Sequence, residues 1–319
     1  MSITTLLGIQ YPIFQGAMAQ IALAPLAAAV SNAGGLGILA SGGFTAEQLR
    51  EEIHKCKQLT NKPFGVNIML MAENRDELAQ VIIDEKIKVV TTGAGSPKNY
   101  IPMWKAAGII VIPVVPSVAI ARKMQELGAD AIVAEGTEAG GHVGETTTMS
   151  LIPQVVDSVT IPVIAAGGIA DGRGVAAAFA LGAQGVQVGT RFLATTECPT
   201  HENFKLAVVH AKDTDTLVTG RTQGAPVRSI KNKMTLEYIK LEQEHASRDQ
   251  LEELALGSLR KAVLEGDTEN GSVMAGQIAG LVKEITSVEQ VVHSMFAEAK
   301  LACDCIAASS LAVAIPVEA

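Results

Sequence analysis

Val163-Ile164-Ala165-Ala166-Gly167-Gly168-Ile169-Ala170-Asp171 leads through an Ala-rich stretch to Leu181-Gly182 and then to Val186-Gln187-Val188-Gly189-Thr190-Arg191. This is one strand–turn–helix–strand unit. The strand runs, Val163–Ala166 and Val186–Val188, are short. The stretch between them closes on Gly182, the usual left-handed helix stop. Parallel strands joined through a helix are buried on both faces, so such runs stay largely apolar in place of alternating.

The same rhythm runs back to the N-terminus. Strand runs fall at Pro12–Gln15, Leu36–Ala40, Phe64–Ile68, Val89–Thr92, Ile109–Val114 and Ala131–Ala134, which brings the set to eight. Helices are expected over Thr45–Lys57, Asn74–Asp84, Lys98–Ala107, Val118–Leu127, Leu151–Ser158 and Gly174–Leu181. Thr45 stands as a cap, and Glu47, Glu51 and Glu52 lie early in its helix, where the positive end favours them. Ala107-Gly108 and Leu127-Gly128 repeat the Gly stop. Eight βα units in roughly 200 residues predict the α/β class and a closed TIM (β/α)8 barrel, not an open doubly wound sheet.

After Arg191 the rhythm changes. Residues 206–269 lack evident strand runs and carry dense mixed charge, including Glu237, Lys240, Arg248 and Asp249, so a smaller helical insertion domain is expected after strand eight. Helices over Ser272–Lys283 and Val288–Cys303 are expected to return to the barrel. The domain expectation is a barrel over 1–205 completed by 270–305, the insertion over 206–269, and a loose tail over 306–319.

Composition narrows the class. Of 319 residues, 48% are hydrophobic, 18% charged and only 3% aromatic, with 30 Gly, which excludes a disordered chain and a disulfide scaffold. The first 46 residues carry no charge, but Pro12, Pro25, Asn32, Gly34, Gly35 and Gly37 break that stretch. It never offers the about 20 unbroken apolar residues of a membrane span, and no basic segment marks a secretory signal. A net charge of −8 excludes a general nucleic-acid binder. Cys56, Cys198, Cys303 and Cys305 read as free thiols of a cytoplasmic protein, since the Cys-Asp-Cys pair has no second pair to complete a metal site.

Barrel active sites sit at the C-terminal strand ends, with phosphate bound after strands seven and eight. Gly167-Gly168 and Gly189-Thr190 occupy those two places, where unobstructed backbone N–H groups can wrap a phosphate, aided by the helix dipole. Each pair alone reads equally as a tight turn; both together favour phosphate. Gly16, Ala17 and Met18 let a flat ring approach the first strand. Asn67 can pair with a heteroaromatic edge. The helix start at Met274, Gly276 and Gln277 can lie over the same ring.

His142 follows strand six in a loop flanked by Gly140, Gly141 and Gly144, which places a titratable imidazole where substrate should sit, either for proton transfer or as a solvated loop residue. Glu135 ends that strand and serves a ribityl hydroxyl or a structural hydrogen bond. The loop Thr91–Pro97, with Gly93 and Gly95, lines the cavity or holds a monovalent cation through carbonyl oxygens. No nucleotide-triphosphate loop, zinc pair or dinucleotide fingerprint is present, which points to a phosphorylated substrate or to FMN.

Phe14-Gln15-Gly16-Ala17-Met18, Gly65-Val66-Asn67, Glu138-Ala139-Gly140-Gly141-His142-Val143-Gly144, Ala165 to Asp171 and Val188-Gly189-Thr190-Arg191-Phe192 together resemble the nitronate monooxygenase (2-nitropropane dioxygenase-like) superfamily. Val89–Gly95, Ile112–Val118, Val227–Asn232 and Gly271–Gly280 resemble, within it, the FMN-dependent enoyl-acyl-carrier-protein reductase II group of bacterial fatty acid biosynthesis. The likeness extends to about residue 300. It implies FMN with Gly167, Gly168, Gly189 and Thr190 at its phosphate. Gly16, Ala17, Met18, Asn67, Glu135 and Gly141 would surround the ring and ribityl chain, and Met274, Gly276 and Gln277 would approach from the returning helix. Ala17 departs from the second Gly common in relatives.

The resemblance further implies hydride transfer from NADH or NADPH to an enoyl-acyl carrier protein, with His142 as the catalytic residue, in a homodimer. The insertion would shape the entrance, with Arg221, Arg228, Lys231 and Lys233 meeting the carrier protein or cofactor phosphates, or simply solvated. The alternative activity is oxidation of alkyl nitronates with FMN and O2.

Overall fold

The computed structural model describes residues 2–309. Eight parallel strands are joined in the order β1-β9-β8-β6-β5-β4-β3-β2, where β1 is Ile13–Gln15, β2 Gly37–Ala40, β3 Phe64–Met69, β4 Val89–Gly93, β5 Ile110–Val115, β6 Ile132–Glu135, β8 Val163–Ala166 and β9 Gly185–Val188. A parallel bridge from Phe14 to Leu36 closes the ring, with Gln15 N–H donating to Leu36 O and Leu36 N–H to Ile13 O. The fold is a TIM (β/α)8 barrel, and all eight expected strands are present.

Side chains alternate between two apolar environments. Phe14, Leu36, Ile38, Val89, Ile112, Val133, Ile164 and Ala166 fill the barrel interior. Their neighbours, such as Ile13, Val115, Ile132, Ala165 and Val186, or Leu39, Val66 and Val111, pack outward under the helices. This is why the strand runs show no polar alternation. A helix not read from the sequence, Ile3–Leu7, is capped by Ser2 and stops at Gly8. Ile3, Leu7 and Ile9 join the interior cluster and plug the barrel floor.

The helices follow the expected logic with shifted ends. Thr45 and Gln48 form a capping box on Ala46–Leu59. Gly108, Gly128 and Gly182 all take the left-handed conformation at helix stops. The expected Lys98–Ala107 helix shortens to Ile101–Ala106. The expected Leu151–Ser158 helix starts earlier, at Thr148, because the Glu138 carboxylate accepts the Thr148 N–H at 3.0 Å.

Three expectations are corrected. The insertion is not purely helical: β10, Thr216–Thr219, and β11, Val227–Ile230, form an antiparallel hairpin. β11 pairs in turn with a two-residue strand, β7, Gly141–His142. These β-branched runs are short and flanked by charge, which hid them. The expected helix over Ser272–Lys283 is only a 3-10 turn at Gln277–Leu281, since the donors at Gly276 and Gln277 are spent on other loops. The last helix runs from Val288 to Ala307, past the expected end at Cys303, and the tail from 310 onward lies outside the described residues. Among the described residues, no helix is long and apolar enough to cross a membrane.

Leu7 is 6% exposed against the barrel floor. Leu7→Ala should therefore lower the unfolding free energy in urea by about 2–4 kcal/mol, the usual cost of a poorly relaxing core truncation. A loss under about 1 kcal/mol would show that the N-terminal helix is not part of the barrel core.

Candidate active site

Above the aliphatic interior, the inward positions at the C-terminal strand ends turn polar. Asn67 lies between Val66 and Ile68, which both pack outward, so it faces the mouth. Its Nδ2 donates to Thr91 Oγ1 at 2.9 Å. Glu135 follows the inward Val133, and Gln187 lies between the outward Val186 and Val188. These four residues make a polar layer over the hydrocarbon core. Asn67 and Glu135 are legible in the sequence, whereas Thr91 and Gln187 carry no local signal that sets them apart from their strands.

The loops above this layer interlock, and they bring the expected residues together. A methyl placed on Gly16 would sit 3.5 Å from the Gln187 side chain, and one on Gly189 would sit 3.7 Å from Met18 Sδ. Met274 Sδ would be 3.8 Å from a methyl on Gly141. Thr190 Oγ1 accepts the Gly276 N–H at 2.8 Å, and Glu138 O accepts the Gln277 N–H at 2.9 Å. A Cβ on Gly140 would come within 2.7 Å of Gly276 N, so the loop after β6 and the returning segment touch backbone to backbone. Ala17 packs against the barrel interior.

Gly167 and Gly168 have φ of 88° and 72°, a conformation that favours glycine. Among the described residues, the N–H groups of Gly168, Ile169 and Gly189 find no backbone acceptor. Unpaired donors at the ends of the neighbouring strands β8 and β9 are the kind of groups that can accept an anion. The helix starts beside these loops are capped from within the chain. Asp171 Oδ1 accepts from Arg173 N–H and Gly174 N–H at the start of the Gly172–Ala180 helix. Glu138 likewise occupies the start of Thr148–Val156. Both N-termini already hold a carboxylate.

His142 lies in β7, opposite Val227 of β11. The residue is exposed, yet the protein around its ring lowers its pKa below the usual imidazole value, which favours the neutral form. Glu135 is held deeper, and burial pushes its carboxyl up to about 7. Arg228, expected at the entrance, is instead 6% exposed and donates inward to Thr137 O. Arg221 pairs with Glu145, and Lys231 Nζ donates to Thr214 O at 3.1 Å. At the end of β4, Gly93 O accepts the Leu70 N–H of the segment after β3 at 3.0 Å. Among the described residues there is no cluster of metal-ligating side chains, and the four cysteines are free thiols.

Gln20 also escaped the sequence reading. It follows Met18, takes a left-handed φ of 63°, and among the described residues its buried Oε1 has no donor. An unpaired acceptor, unpaired N–H groups and a glycine-lined mouth fit a flat, phosphate-bearing group such as FMN.

A family model described as nitronate monooxygenase matches residues 1–82 and 72–298. The chain belongs to this family. FabK from Thermotoga maritima superposes with a TM-score of 0.94 at 49% identity, covering 96% of this chain and 98% of that one. A nitroalkane oxidase from Streptomyces ansochromogenes gives 0.84 at 30% identity, covering 96% and 100%. A (3aS,4S,5R,7aS)-5-hydroxy-7a-methyl-1-oxo-octahydro-1H-indene-4-carboxyl-CoA dehydrogenase of Rhodococcus jostii is 33% identical over 335 residues, 93% of this chain and 95% of its own length. These relatives are oxidoreductases, and so is this protein.

The burial of Glu135 has a measurable sign. The unfolded carboxyl ionises near 4.5 and the folded one near 7, so the folded state binds the extra proton between those values. Stability of the flavin-free protein should fall as pH rises through that window, by at most about 3 kcal/mol. Glu135→Gln should flatten the dependence in thermal melts from pH 5 to 8; an unchanged slope would place the titration elsewhere.

Proposed function

We propose that the protein is an FMN-dependent enoyl-acyl-carrier-protein reductase, reducing trans-2-enoyl thioesters with NADH or NADPH. The observation that carries this reading is the 49% identity to FabK, an enoyl-acyl-carrier-protein reductase II, against 30% to the nitroalkane oxidase at equal coverage of this chain. A homodimer working on an acyl carrier protein in the cytoplasm is part of the proposal.

Gly167, Gly168, Gly189 and Thr190 would hold the FMN phosphate. Asn67, Glu135 and Met18 would meet the ribityl chain and ring from below, and Met274, Gly276 and Gln277 from the returning segment. When bound, FMN supplies a hydride acceptor and donor between the nicotinamide and the substrate β-carbon. The reduction also needs one proton at the α-carbon, and negative charge develops on the thioester oxygen meanwhile. A neutral His142 at the rim donates its ring N–H to that oxygen, where a positioned donor lowers the barrier most. The apolar residues beneath the polar layer keep water out of the barrel.

The family model and the nitroalkane oxidase likeness favour a second reading, oxidation of alkyl nitronates with O2. One spectral experiment separates the two. The purified protein should be yellow, bleach anaerobically with NADH, and recover its colour on addition of crotonyl thioester. Oxygen uptake with propionate-3-nitronate, without any enoyl-driven recovery, would overturn the reductase reading.

His142→Ala should fold, keep its flavin, and reduce enoyl thioester at least about a hundredfold more slowly, as expected for loss of a group acting in the transition state. Stopped-flow recovery of the flavin absorbance measures this. Turnover within about threefold of wild type would return His142 to a solvated loop position.

A further inference from the structure

We infer that Arg228 is a positioning residue that holds the His142 loop in its working geometry from inside the insertion. The inference rests on the reading of His142 as the group that meets substrate. Arg228 Nε and Nη2 both donate to Thr137 O, at 3.2 and 3.1 Å, while Nη1 donates to Thr216 Oγ1 at 3.2 Å. The side chain thus clamps the base of the loop to β10. Thr137 N–H closes that base by donating to Thr146 O at 2.9 Å.

The backbone of Arg228 works on the same loop. In the β11–β7 ladder Arg228 lies opposite Gly141, and Val227 lies opposite His142. Val143 N–H donates to Pro226 O at 3.1 Å, and Glu145 pairs with Arg221 at the hairpin turn. Loop 137–146 and hairpin 216–230 therefore move as one piece.

The choice of arginine is informative. The residue is 6% exposed, and among the described residues its guanidinium makes no ion pair, although the Glu138 carboxylate lies near enough to favour its charge. Burying a cation whose direct contacts are neutral acceptors is costly, and an apolar side chain of similar volume would avoid that desolvation. Only a planar fork can converge two N–H groups on one carbonyl and reach a second acceptor on another strand. The desolvated charge is retained where it fixes the residues on either side of His142.

Two variants test this in the full-length flavoprotein. Arg228→Met should retain flavin, melt no lower than wild type, and bleach with NADH within about twofold of the wild-type rate. Its recovery with crotonyl thioester should slow at least about tenfold, with kcat falling more than KM rises. Combined with His142→Ala, it should add no further slowing, because the two act as a unit. Arg228→Lys should behave like the Met variant, since charge alone does not restore the fork.

Amide hydrogen exchange at Gly141 to Val143 should quicken in Arg228→Met while β8 and β9 stay protected. Additive slowing in the double variant, or unchanged exchange at those amides, overturns the inference. If wild type oxidises nitronates and ignores enoyl thioester, the function reading fails alone. The same cycle on nitronate, together with the exchange measurement, still decides the role of Arg228.

Discussion

The site depends on where the chain spends the backbone donors of residues 276 and 277. Gly276 N–H goes to Thr190 Oγ1 and Gln277 N–H to Glu138 O. A buried N–H must find an acceptor, so donors committed across the barrel mouth cannot also serve a helix. The segment stays extended until Gln277 for that reason. In exchange, the loops after β6 and β9 are tied to the C-terminal part of the chain. Gly140 and Gly276 are the two positions where this approach leaves no room for a side chain.

The barrel beneath supplies a fixed platform by a simpler device. The strands separate an inner apolar layer from an outer one, and the inner layer gives way to Asn67, Thr91, Glu135 and Gln187 toward the C-terminal strand ends. Asn67 and Glu135 are half-buried there and Thr91 is paired with Asn67, whereas polar side chains one layer deeper would be buried without partners. The site therefore begins where the hydrocarbon interior ends.

Much of this was legible in the sequence. The eight strands, the paired glycines after β8 and β9, and the placement of His142 followed from periodicity and turn chemistry, because local rules determine them. What escaped was set by tertiary pairing. Residues Gly141 and His142 are a strand only because Val227 and Arg228 lie beside them. The hairpin itself was obscured because Arg228 makes a strand look like surface, although its charge points inward. The Ile3–Leu7 helix is short, and its stability comes from burial in the barrel floor, not from propensity. The Gly-rich start of residues 272–283 read as a helix because nothing local reveals that its N–H groups are needed elsewhere.

The electrostatics of the mouth follow from the same economy of donors. The starts of the Thr148–Val156 and Gly172–Ala180 helices already carry the carboxylates of Glu138 and Asp171, so neither dipole is free to attract an anion. In the proposed FMN site, the N–H groups of Gly168, Ile169 and Gly189, which lack backbone acceptors, would meet the phosphate through geometry more than through charge. The two titratable groups nearest the reacting space are both biased toward neutrality, Glu135 by a raised pKa and His142 by a lowered one. The fixed negative charge of the mouth, at Glu138 and Asp171, is spent on backbone N–H groups of the chain itself, so in the proposed reduction the charge that develops on the substrate would be met by an oriented neutral donor. The buried Arg228 stands behind the loop and acts on its shape.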